Sequence, residues 1–152
     1  MKSALGKSAA MEPYYQELVK QDYFDTMKDV MLLAIVIGFK NKTRVPIGKY
    51  GGDSIKEHIF KDDMDFLNTI AVLSTGDIKI LLDESKDEKY KRFEEYAEAG
   101  MNIFVKEVFN GQVPNADMIL EFVKKYAPTV HDAPQDFSDF FGDIIEEMTT
   151  EE

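Results

Sequence analysis

A chain of 152 residues, 44% of them hydrophobic, can bury one packed core and is too short for two. The absence of cysteine excludes a disulfide framework, a thiolate zinc site and a thiol nucleophile. The longest apolar run, residues 30–39, falls well short of the ~20 residues a membrane-crossing helix needs, and no signal-peptide core follows the two lysines of the first ten residues, so a cytoplasmic protein is expected.

The net charge of −11 is unevenly spread. Residues 1–61 hold ten Lys and Arg against seven acids, whereas residues 62–152 hold eight against twenty-two. An acidic protein is not steered toward nucleic acid by its net charge, yet a local cationic patch can still engage it.

In chain order, residues 1–10 are small and polar and read as a flexible N-terminus. Residues 12–20 form a short helix presenting Tyr15, Leu18 and Val19. Asp22 is the expected N-cap of the next helix, whose Phe24, Met27, Met31, Ile35 and Gly38 share one face. Residues 31–37 are apolar all round, which predicts a central, buried helix. It ends at Gly38-Phe39 and runs into a Gly/Pro-punctuated loop holding Lys40, Lys42, Arg44 and Lys49.

Asp53-Ser54 then caps a short helix or turn through Ile55, Ile59 and Phe60. Residues 64–73 carry an apolar stripe that Ser74-Thr75-Gly76 stops, and Asp77 caps a brief helix. A long helix over residues 87–109 places Tyr90, Phe93, Ala97, Met101, Phe104 and Val108 in near-heptad register, with Gly111 as terminator. Asn115 caps a further helix through Phe122. Finally, Phe137, Phe140, Phe141, Ile144, Ile145 and Met148 recur at helical spacing, opposite a wholly acidic face. The predicted fold is all-α, a compact multi-helix bundle around the buried central helix, with at most a short hairpin in residues 43–60. The domain layout is a flexible 1–10, a helical domain over 11–130, and an acidic amphipathic helix or tail over 131–152.

Chemistry is sparse. His58 lies near Glu57, Asp62, Asp63 and Asp65, residue types that ligate divalent metals and would suit a metal-dependent nuclease or hydrolase. The same acids also serve as helix caps, and that reading is preferred, with no metal and no catalytic residue assigned. Gly48-Lys49-Tyr50-Gly51-Gly52 lacks the spacing of a phosphate-binding P-loop. A helix-turn-helix across residues 64–83 fails because its would-be reading helix holds one cation and two acids.

Two candidate surfaces remain. In the basic loop, Lys40, Lys42, Arg44 and Lys49 suit phosphate contacts, and Tyr50 suits stacking or hydrogen bonding. The same run also reads as a solvated loop. In the tail, Phe137, Phe140, Phe141 and Ile144 suit a groove on a partner or on this chain's own core.

An ordered set of segments is informative beyond this. Residues 24–30 (FDTMKDV), 34–39 (AIVIGF) and 42–47 (KTRVPI) are followed by Ile70-Ala71, Ser74-Thr75-Gly76-Asp77, Leu81-Leu82-Asp83 and residues 95–100 (EYAEAG). Over residues 14–110 this order resembles the DNA-phosphorothioation (Dnd) system-associated protein 4 family. The resemblance implies a prokaryotic anti-phage or DNA-modification setting in which sulfur replaces a phosphate oxygen. It brings no catalytic residues and no cofactor. The expectation is a non-catalytic accessory protein that binds a defence-complex subunit or the DNA backbone. A transcriptional regulator dimerising through the long 87–109 helix is a further option.

Overall fold

The structure, a computed structural model, describes residues 2–126, and the chain divides into two compact units, Met1–Val105 and one that begins at Lys106. At the centre of the first unit is α2 (Met27–Lys40), in which every residue from Val30 to Gly38 is buried. Its N-cap is Thr26, whose hydroxyl accepts the Asp29 N–H. The expected cap, Asp22, instead sits in the turn after α1 (Glu12–Lys20) with φ 60 and its own N–H on the Val19 carbonyl. A residue in that left-handed turn cannot open the helix, so capping passes to the next hydroxyl in extended backbone.

Helix α4 (Lys86–Phe104) lies antiparallel across α2, and glycine sets the distance between them. A Cβ on Gly100 would lie 2.6 Å from the Ala34 carbonyl carbon, and one on Gly38 would lie 2.9 Å from that of Tyr96. Each helix therefore presents a glycine to the other's backbone, the two contacts about one turn apart, closer than any pair of side chains would allow. Phe39 and Tyr96 meet edge to face beside this contact, ring centroids 5.7 Å apart.

Around the pair, Leu18 of α1 and Phe24 close on Val30, Leu33 and Ile37 of α2 and on Met101 and Phe104 of α4. Helix α3 (Met64–Thr75) buries Leu67, Ile70 and Ala71 and stops, as predicted, at Gly76, whose φ of 68 makes it a left-handed C-cap. Around α3 run 3-10 turns at Glu57–Asp63, Ile78–Leu81 and Asp83–Ser85.

The N-terminal ten residues differ from expectation. Strand β1 (Ala4–Leu5) pairs antiparallel with β2 (Ile55–Lys56), and Ser8 bridges to Tyr50. The segment is packed rather than frayed: Leu5, Gly6, Lys7 and Ser8 are all buried. Residues 55–56, in the stretch where at most a short hairpin was allowed, pair instead with a strand fifty residues upstream. Its anchors are hydrogen bonds to distant carboxylates, which no local pattern announces.

In the second unit, α5 (Ala116–Lys124) is capped as predicted by Asn115, whose side chain accepts the Met118 N–H at 2.9 Å. Gly111 precedes it with φ 84, and Phe122 and Tyr126 have ring centroids 5.3 Å apart. The helix expected to reach residue 109 is α-helical only to Phe104, and Val105–Phe109 is a π-helical turn. The tail candidates Phe137, Phe140, Phe141 and Ile144 lie outside the described residues. Among the described residues, no helix is long and apolar enough to cross a membrane.

Candidate nucleic-acid or partner interface

The basic loop begins where α2 is capped. Asn41 donates to the Ile37 carbonyl through both its backbone N–H (3.1 Å) and its side chain (2.7 Å). The Lys42 N–H reaches the Phe39 carbonyl and the Thr43 N–H reaches that of Gly38, each at 3.0 Å. These bonds tie up the orphan carbonyls of the helix end. They also force Lys42 to φ 54, a left-handed conformation where glycine or asparagine is usual. Lys42 is exposed, so nothing in the packing requires a long cationic side chain there. Lys42→Gly is expected to raise unfolding stability by about 0.5–1 kcal/mol, read as a higher denaturant midpoint at unchanged slope.

Arg44 is engaged. Its guanidinium lies 3.3 Å from Glu95 and 5.9 Å from the centre of the Tyr96 ring, and the Val45 N–H bonds the Glu95 carbonyl at 3.0 Å. With 41% of its side chain still exposed, it fixes the loop on α4 while keeping a face in water. Lys49 is exposed. Tyr50 is not a free stacking platform: its hydroxyl donates to Glu94 at 2.9 Å, and the Lys2 ammonium sits 5.3 Å from its ring centre. Burial and the Glu94 bond both push its phenol pKa up. The five loop candidates thus fall into two groups. Lys40, Lys42 and Arg44 surround the end of α2, while Lys49 and Tyr50 lie beside the N-terminal segment.

Beside the second group is a buried polar cluster that periodicity did not reveal. Glu94, 1% exposed, accepts from Lys2 Nζ (2.8 Å), the Gly6 N–H (2.6 Å) and the Tyr50 hydroxyl (2.9 Å). One turn on, Glu98 accepts from the Ser8 hydroxyl at 2.9 Å; burial raises its pKa and the Ser8 bond opposes the rise. Buried Lys7 donates to the Asp53 carbonyl at 2.5 Å and pairs with Glu12 at 3.2 Å. A cleft of about 430 Å³ opens here, lined by Lys2, Gly6, Lys7, Tyr50, Gly52, Ser54 and Glu94 among others. The one signal in the sequence was the pair Glu94 and Glu98 at helical spacing next to Phe93 and Ala97, acids set in an apolar face.

The acidic cluster around His58 does not converge. Glu57 is held by Lys86 at 2.7 Å and by the Tyr90 hydroxyl at 2.8 Å, and the Lys86 bond first, then that of Tyr90, holds its carboxyl below the usual range. Asp63 pairs with Lys28 at 3.0 Å. Among the described residues, no three His, Asp or Glu side chains gather to hold a metal ion, so the nuclease reading loses its ligand set. The regulator reading weakens too. On the 87–109 helix through which it would dimerise, Tyr90, Phe93, Ala97, Met101 and Phe104 are already buried within one chain.

What remains is a small, mostly helical scaffold whose distinctive exposed chemistry is a cationic loop at the end of its central helix. A family model described as DNA sulphur modification system-associated protein 4 matches residues 8–140, and the chain belongs to that family. The match extends past both ends of the motifs at residues 14–110 and takes in Ser8, the N-terminal anchor on Glu98. Comparison with curated proteins and with solved structures gave no match.

Proposed function

We propose that this protein is a non-catalytic accessory component of a prokaryotic, phosphorothioation-linked anti-phage system, acting in the cytoplasm by contacting the DNA backbone through the 40–50 loop. The observation that carries this reading is Lys42. A lysine kept in left-handed backbone at an exposed helix end costs stability, and such outliers concentrate where function sets the residue. Lys40 and Arg44 lie at the same helix end, Lys49 further along the loop, and the family places the protein beside DNA modification.

The test is duplex binding across salt for wild type and for the Lys40, Lys42, Arg44 and Lys49 to Ala variant. Wild type is expected to bind at low salt with a log–log slope of about −2 to −4, as for two to four phosphate contacts, and the variant to lose most of that affinity. If neither protein binds at low salt, the DNA reading is wrong. The strongly acidic balance of residues 62–152 favours the second reading, an adaptor that holds a defence-complex subunit. Pull-down of such a subunit, lost in the same loop variant, distinguishes it.

A further inference from the structure

We propose that Arg92 completes a phosphate-binding site with the loop at the end of α2, taking a non-bridging oxygen of a DNA phosphodiester; this rests on the DNA reading above. The α2–α4 crossing supplies the geometry. Residue 100 lies against residue 34 and residue 96 against residue 38, so one further turn brings residue 92 level with the loop that leaves α2. Arg44 confirms that level from the loop side, since its partners Glu95 and Tyr96 lie three and four residues from Arg92 on α4.

Arg92 is the under-satisfied cation of this region. Its side chain is only 15% exposed, and its Nε–H is buried with no acceptor among the described residues. Among the described residues its one ion contact is Glu88 at 4.0 Å, and Glu88 is 67% exposed. Glu95 is committed to Arg44. A buried guanidinium N–H without an acceptor is costly, and a planar fork with free donors matches a phosphate oxygen. Exposed Lys42 and Arg44 lie on the loop at this level, so positive charge is at hand beside the guanidinium for an anion. The negative end of α2 opposes it little, because the Ile37, Gly38 and Phe39 carbonyls already accept hydrogen bonds.

The experiment follows the Arg92 Nε–H resonance, assigned by its loss in Arg92→Lys, while a short DNA duplex is titrated into the full chain at low salt. The resonance is expected to move with the duplex. Arg92→Gln should bind about tenfold more weakly and lower the salt slope by about one. Arg92→Lys should keep the slope, because the charge stays, and still bind more weakly, because the planar fork is gone. Duplex binding with an unmoved Nε–H and unchanged variants overturns the Arg92 site and leaves the loop reading standing. Movement with inorganic phosphate but not with duplex overturns the DNA assignment of the site. No duplex binding by wild type overturns both readings.

Discussion

Gly100→Ala is expected to cost at least about 3 kcal/mol, a large share of the stability of a domain this size. The added methyl would enter the space held by the Ala34 carbonyl, 2.6 Å from its carbon and 2.9 Å from the Ala34 Cα. Overpacking against side chains costs about 1–3 kcal/mol because rotamers can yield, and here the obstacle is the backbone of the buried stretch of α2. Relief requires α2 and α4 to separate, which would loosen the layer that includes Leu33, Ile37, Met101 and Phe104. Against a total stability of about 5–15 kcal/mol for a domain of this kind, the loss is large. Denaturant unfolding followed by circular dichroism checks it, with Gly48→Ala as control. A Cβ on Gly48 meets nothing within 4 Å, and that variant should stay within about 0.5 kcal/mol of wild type. Equal midpoints for the two variants would show that the helices are not packed at this distance.

Glu94→Ala comes second, at about 2–4 kcal/mol. Truncation removes the acceptor of three donors at once. Lys2, with a third of its side chain exposed, recovers water, but the buried Gly6 N–H does not. Stranding buried donors costs more than the net worth of the bonds they made. The same change removes the acceptor of the Gly6 N–H while Ser8 keeps its bond to Glu98, so the Gly6 amide should lose its protection from hydrogen exchange. Protection unchanged in the variant would mean that β1 and its pairing with β2 hold the segment without Glu94.

The two expected results lie on opposite sides of what could be read from residues in order. The buried α2 was legible because nine consecutive buried positions leave a run of apolar residues with no polar face. Caps were legible wherever one residue type does the job locally, as at Asn115, Asp77 and Gly76. Asp22 misled for the complementary reason: its type suits a cap, but the turn after α1 had already fixed its backbone. The cationic loop was visible as charge, while the engagement of Arg44 with Glu95 and of Tyr50 with Glu94 was not. Those partners are some forty to fifty residues away, and pairing at that range follows from helix crossing.

The residues taken in order determined an all-α core, its central helix, most of its turns and the family. They could do so because helix periodicity, capping and ordered motifs are local. The tertiary structure decided the α2–α4 distance, the pinning of residues 2–10 and the placement of Arg92 level with the loop. Each depends on backbones or polar groups far apart in the chain, brought to within a few ångströms only once α2 and α4 have crossed.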